Sequence, residues 1–240
     1  MGLHRHIPNA ITSLNLVSGA LGVVSAVKGM PEQALAFMLA AALFDFCDGL
    51  AARLLKAYSP IGKELDSLAD MVSFGLLPAL LLMACMQAHG VPAAPSCVAL
   101  FIAVMSAIRL AKFNVDERQG TDFLGVPTPT CALVCASLAV YVAVSPGSLA
   151  ARWAGTVWFL PLVSVALGLL LVCEIPMFGM KVKPGHRLLD GKRVVFLALS
   201  LAAILAVALT GQHFSLAVLA VFTLYILENL LLACRNVKRR

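Results

Sequence analysis

Residues 31–53 read Pro31-Glu-Gln-Ala-Leu-Ala-Phe-Met-Leu-Ala-Ala-Ala-Leu-Phe-Asp45-Phe-Cys-Asp48-Gly49-Leu-Ala-Ala52-Arg53. The stretch is apolar over most of its length, as a bilayer-crossing helix requires, yet it carries two aspartates close to one end. At about 100° per residue, Asp45, Asp48 and Ala52 share one helix face, with Gly49 beside them. If the helix starts near Pro31 and rises about 1.5 Å per residue, the aspartates lie roughly 20–25 Å along it, near an end and away from the midplane. A short linker leads to Gly62-Lys-Glu-Leu-Asp66-Ser-Leu-Ala-Asp70, where Gly62, Asp66 and Asp70 form a second stripe. Such a linker predicts two antiparallel neighbouring helices with their carboxylates aimed at one point.

The rest of the chain supports a membrane setting. Of 240 residues, 61% are hydrophobic and 12% charged, against roughly 45–50% and about 25% in soluble domains. No segment alternates as a membrane barrel strand does, so the expected fold is all-α, a polytopic helical bundle. Breaks at Pro, Gly and charge clusters divide it into about eight spans, near 10–27, 33–55, 66–88, 94–112, 127–144, 153–174, 192–210 and 213–233. No signal-peptide cleavage site is evident, so the N-terminus is expected to stay on the chain. No internal repeat or low-complexity linker appears, and one membrane domain over 1–240 is expected.

Orientation follows from the basic residues, because translocated loops are depleted in them. With the N-terminus inside and loops alternating, 16 of the 18 Lys and Arg fall on the cytoplasmic side, leaving only Lys28 and Arg152 outside. Both termini are therefore expected in the cytoplasm, and the aspartates near that face. The net charge of +6 sits in short loops beside apolar helices, which favours anionic lipid headgroups over nucleic acid as its neighbours. The seven cysteines lack CxxC or zinc spacing and read as small buried hydrophobes.

Any one of the four aspartates would read as a helix cap or a surface charge. Together, four of the chain's seven Asp on two facing stripes would repel strongly without a counter-charge, and divalent cations supply one. All-oxygen ligands favour Mg²⁺ or Mn²⁺ over zinc, and two such ions about 3.5–4 Å apart suit phosphoryl displacement. Gly49, Ala52 and Gly62 leave room on the same faces for a nucleotide or diphosphate.

The pattern Asp45-x2-Asp48-Gly49-x2-Ala52-Arg53-x8-Gly62-x3-Asp66-x3-Asp70 resembles the complete signature of the CDP-alcohol phosphatidyltransferase family. The resemblance implies that Asp45, Asp48 and Asp66 ligate two divalent metals and that Asp70 joins them and acts as general base. It implies that Gly49, Ala52, Arg53 and Gly62 line the CDP pocket, with Asn9 and Thr12 at the start of the first span near the nucleotide; on their own these two also read as helix caps. Further segments resemble the membrane-embedded bacterial branch whose acceptor is serine. These are Ile7-Pro8-Asn9-x2-Thr12-x2-Asn15, Arg109-Leu-Ala-Lys112-Phe113-Asn114, Phe123-Leu-Gly125-Val-Pro127-Thr-Pro129 and Ile175-Pro176-Met177-Phe178.

That resemblance implies transfer of a phosphatidyl group from CDP-diacylglycerol to L-serine with release of CMP, in an inner membrane with the site facing the cytoplasm. It also implies a catalytic core of about 8–175, two added C-terminal helices near 192–233, and a homodimer with a complete site in each subunit. Serine brings a carboxylate and an ammonium, so Arg109, Lys112 and Asn114 are candidates for its site; topology-setting charge and a helix cap are the plainer reading. Arg118, Lys181 and Lys183 are weaker candidates for headgroup contact. Glycerol 3-phosphate, inositol phosphate or choline remain alternative acceptors, although a phosphorylated one would want a denser basic pocket. A cation-coupled transporter is a more distant alternative, since midplane sites on broken, repeated helices are not visible.

Overall fold

A computed structural model describes residues 6–115, 123–177 and 191–237, with side chains for all of these except 123, 191, 192 and 235–237. Arg118, Lys181 and Lys183 lie outside the described residues. In chain order the elements are α1 (Ile7–Val27), α2 (Pro31–Leu54), α3 (Pro60–Asp70), a π-helical segment (Met71–Leu76), α4 (Leu77–Ala88) and α5 (Ala93–Ser96). After a 3₁₀ turn follow α6 (Leu100–Val115), β1 (Phe123–Leu124), α7 (Thr128–Val144), α8 (Leu149–Ala154), α9 (Phe159–Val172), β2 (Pro176–Met177), α10 (Gly191–Leu209) and α11 (Phe214–Val237).

The fold is the expected polytopic helical bundle. Among the described residues, five helical stretches are long and apolar enough to cross a membrane: Ile7–Val27, Pro31–Leu54, Pro60–Ala88, Ala93–Val115 and Phe214–Cys234. Three shorter apolar helices cover Thr128–Val144, Phe159–Val172 and Arg193–Leu209. The third stretch departs from the range expected for it: it begins at Pro60, because Ser59 accepts a hydrogen bond from the Gly62 amide at 3.0 Å and caps it, as short hydroxyl side chains do at N-caps. Asp66 and Asp70 thus stand inside a helix. The range expected at 153–174 is divided between α8 and α9, and the exposed Trp153 and Trp158 flank that break.

α1 shows the physical logic of the bundle. Its buried side is Thr12, Asn15, Ser18, Gly19, Gly22, Ser25 and Ala26, while Leu14, Val17, Leu21 and Val24 are exposed. That is the reverse of a soluble amphipathic helix. It is what a bilayer demands, since lipid welcomes Leu and Val while small and polar residues let backbones approach. α1 ends at Lys28 with the amides of Gly29 and Met30 returning to the carbonyls of Ala26 and Ser25. Gly29 takes φ +71° there, a conformation open to a residue without Cβ.

Most of α7 is buried, which makes it the axis against which α2, α4 and α11 pack. Its entry is held by β1 and β2, which pair Phe123 with Met177 and Leu124 with Pro176. Gly125 has φ +74°, and a Cβ there would lie 2.5 Å from the Leu171 carbonyl oxygen and 2.8 Å from that of Cys173. Gly125→Ala should therefore destabilise the protein by about 1–3 kcal/mol, seen as a fall in Tm of about 2–10 °C by thermal unfolding in detergent.

The cysteines are all free, but only Cys85, Cys131 and Cys135 are buried; Cys97 and Cys234 are exposed. A thiol is apolar enough to face lipid as well as a core, so scattered cysteines in a bilayer need not point inward.

Candidate active site

Oxygen atoms of Asp45, Asp48 and Asp66 all lie within 4.8 Å of one another. α2 and α3 do not bring them together by packing on each other. Both helices pack on α1, which serves as the common wall, and an open cleft remains between them. Gly62 faces Asn9 of α1: a Cβ there would fall 2.8 Å from Asn9 Oδ1 and 2.9 Å from Ser59 Oγ, so a larger residue would displace those two side chains at the cleft wall. At Gly49, by contrast, a Cβ would meet nothing nearer than the Arg53 guanidinium at 3.9 Å. There the missing side chain leaves the cleft open.

The cleft has a volume of about 210 Å³ and is lined by Pro8, Asn9, Thr12, Gly49, Ala52, Gly62 and Lys63, among others, with Asp48 and Asp66 in its wall. Five of the six residues expected around the nucleotide line it. Arg53 is the one that does not; it is exposed, and its Nε donates to the Gly49 carbonyl at 2.9 Å. Asn9 and Thr12 are not helix caps, because α1 already starts at Ile7. Thr12 Oγ1 donates back to the Pro8 carbonyl at 3.0 Å, and both side chains face the cleft.

The acidic cluster suits a hard divalent cation. Asp48 Oδ2 and Asp66 Oδ1 are buried without a hydrogen-bond partner, an arrangement that costs free energy unless a cation occupies the space between the oxygens. The donors are carboxylate oxygens, as Mg²⁺ and Mn²⁺ prefer.

Asp70 lies beyond the cluster, at the junction where α3 passes into the π segment. It is buried, within the electrostatic reach of Asp45 and Asp66, and its Oδ1 accepts from Asn15 Nδ2 at 3.1 Å. Arg109 is also buried, although its place near the end of a span had suggested an exposed topology charge. Its Nη1 donates to Thr128 Oγ1 at 3.1 Å, its Nε has no hydrogen-bond partner, and Asp70 is among the groups whose charge it feels. Lys112 is exposed. Asn114 ties α6 to α3, its Nδ2 donating to Ser67 Oγ at 2.9 Å and its carbonyl accepting from Lys63 Nζ at 2.7 Å. Of the three acceptor candidates, then, only Arg109 is drawn toward Asp70.

Asn15, Lys63, Ser73 and Thr128 were not assigned to the site from sequence. For Asn15 a signal existed: Asn9, Thr12 and Asn15 recur every three residues in an apolar span, which marks one polar helix face.

Comparison with known proteins places this geometry in context. The family profile described as CDP-alcohol phosphatidyltransferase matches residues 5–174. A Mycobacterium bovis protein named CDP-diacylglycerol--serine O-phosphatidyltransferase is 36% identical over 179 residues, covering 71% of this chain and 60% of the relative. A Bacillus subtilis protein of the same name is 35% identical over 125 residues, 52% of this chain and 70% of the relative. An archaetidylserine synthase of Methanothermobacter thermautotrophicus is 34% identical over 133 residues, 55% of this chain and 56% of the relative. The chain spans 60% of the length of the mycobacterial relatives it matches.

Proposed function

The chain belongs to the CDP-alcohol phosphatidyltransferase family, and on that footing we propose that it transfers the phosphatidyl group of CDP-diacylglycerol to the hydroxyl of L-serine, releasing CMP. The observation that carries this reading is the convergence of Asp45, Asp48 and Asp66, the last two in the wall of the open cleft, with Asp70 buried beside them. The names of the relatives support serine as the acceptor.

Asp45, Asp48 and Asp66 would hold two divalent cations, Mg²⁺ or Mn²⁺, with Asp70 adjoining; when bound, these supply positive charge against the diphosphate and the departing CMP. Asn9, Thr12, Gly49, Ala52 and Gly62 form the cleft in which the cytidine and diphosphate lie, and Lys63 adds a cation at its rim. Arg53 braces the Gly49 carbonyl from outside. The acyl chains remain in lipid. Asp70 takes the proton from the serine hydroxyl as its oxygen forms a bond to the phosphorus bearing diacylglycerol, and the bond from that phosphorus to CMP breaks. A carboxylate is a weak base for an alcohol, so proton transfer accompanies bond formation.

Arg109, with Nε unpaired and Thr128 steadying Nη1, receives the serine carboxylate; Lys112 and Asn114 stand farther out. The single membrane domain spans the inner membrane of the cell eight times, with both termini and the cleft on the cytoplasmic side. It pairs as a homodimer whose subunits each carry a full site.

The test is CMP release from CDP-diacylglycerol by the purified full chain with Mg²⁺ or Mn²⁺, using serine, glycerol 3-phosphate, inositol phosphate, choline or no acceptor. Metal-dependent turnover with serine alone is expected. Arg109→Ala should raise the KM for serine by about 10–100-fold, the cost of one charge-assisted hydrogen-bond pair, with the KM for CDP-diacylglycerol unchanged. Turnover with another alcohol would replace serine and leave the aspartate chemistry in place.

A further inference from the structure

Asp70 can act as a base only if its carboxylate is held in one orientation, and the residue that holds it comes from a distant helix. Asn15 of α1 is fully buried. Its Nδ2 donates to Asp70 Oδ1 at 3.1 Å, and its Oδ1 accepts from Ser73 Oγ at 2.7 Å. The same hydroxyl lies 3.1 Å from the Asn15 carbonyl oxygen. Rotating the amide by half a turn would set its oxygen against an ionised carboxylate, which can only accept. The orientation of Asn15 is therefore determined by Asp70, and the Ser73 hydroxyl, which can donate, complements it.

Two backbone features make this contact possible. The helix carrying Asp70 widens into a π segment at the next residue, and such segments recur at functional sites because they turn side chains to faces a regular helix would not present. Ser73 lies within that segment and is fully buried. Opposite it stands Gly19, where a Cβ would fall 2.1 Å from Ser73 Oγ and 2.9 Å from Ser73 Cα. α1 and the π segment thus meet at van der Waals distance, and the Ser73 hydroxyl reaches the Asn15 backbone.

We propose that Asn15 is a positioning residue for the transfer reaction, its amide holding Asp70 Oδ1 and so presenting Asp70 Oδ2 to the acceptor hydroxyl, with Ser73 bracing the amide from behind. This rests on the reading of Asp70 as general base. Asn15 touches neither cation-holding oxygens nor the cleft, so its contribution lies in the chemical step and not in binding CDP-diacylglycerol.

The experiment compares Asn15→Ala, Ser73→Ala, the double variant and Asp70→Asn by CMP release with serine, by Mn²⁺ binding through electron paramagnetic resonance without substrate, and by thermal unfolding. Misplacing a reacting group by about 1 Å costs on the order of 100-fold, so Asn15→Ala should lower kcat by about 30–100-fold with the KM for CDP-diacylglycerol within about twofold of wild type. Mn²⁺ affinity should not change. Ser73→Ala, which keeps the donor and loses only its brace, should lower kcat by about 3–10-fold. With the Asn15 amide gone, the Ser73 hydroxyl still has the residue-15 carbonyl oxygen as acceptor, so the kcat of the double variant should stay with that of Asn15→Ala.

A kcat for the double variant well above that of Asn15→Ala would overturn the inference. A kcat for Asn15→Ala within threefold of wild type, or a loss confined to KM, would overturn it too. Should Asn15→Ala fail to fold, an unchanged kcat in Ser73→Ala would do the same. In each of these cases Asp70→Asn separates the two layers: an inactive Asp70→Asn leaves the base in place and removes only its positioning by Asn15, whereas an active one removes the base itself.

Discussion

Asp48→Asn should lower metal-dependent CMP release by on the order of 10³-fold, and chelation of divalent ions from the unaltered protein should do the same until Mg²⁺ or Mn²⁺ is restored. Asp48 is the one buried member of the three clustered carboxylates, 6% exposed, and its Oδ2 has no hydrogen-bond partner. A negatively charged oxygen in that position is tolerated only because a cation is to share it. The amide substitution keeps the shape and removes the charge, so it weakens the cation's hold without opening a cavity. An independent readout follows from repulsion among the three. Without metal, Asp48→Asn should be at least as stable as the unaltered chain, and added Mn²⁺ should raise its Tm less, because a ligand stabilises in proportion to its affinity for the folded state. A variant whose Tm still rises fully with Mn²⁺ would remove Asp48 from the metal set.

Asp70→Asn should lower kcat by about 10²–10⁴-fold, the usual contribution of a positioned general base, with little change in the KM for CDP-diacylglycerol. Asp70 is not among the three residues whose oxygens lie within 4.8 Å of one another, and it does not line the cleft. Mn²⁺ should therefore still raise the Tm of Asp70→Asn. That retained shift distinguishes loss of the base from loss of the metal, which the Asp48 variant suffers. If the Mn²⁺ response disappears with Asp70→Asn, the carboxylate serves chiefly as a metal ligand and the proton must leave by another route.

Much of this molecule was legible before any coordinates. The bilayer imposes runs of apolar residues of defined length, so the helices announce themselves by composition, and Asp45, Asp48, Asp66 and Asp70 announce their faces by spacing, because helical periodicity is a local property. The same local logic placed Gly49, Ala52 and Gly62 beside the aspartates, and the cleft is lined by all three.

Contacts between segments far apart in the chain were not legible, and they depend on which helices lie together. Between helices in lipid there is no hydrophobic force to choose partners; close approach is selected by small residues and buried polar groups, and these act only once two particular surfaces meet. Gly19 against Ser73 and Gly62 against Asn9 are such meetings, and they make α1 the wall on which the carboxylates of α2 and α3 converge. Arg109 looked like a charge marking the end of a span until α7 brought Thr128 to it and buried it. The carboxylates and their helical faces thus belong to local sequence, whereas the bond from Asn15 to Asp70, across 55 positions of chain, exists only because close packing in the bilayer set α1 against the π segment.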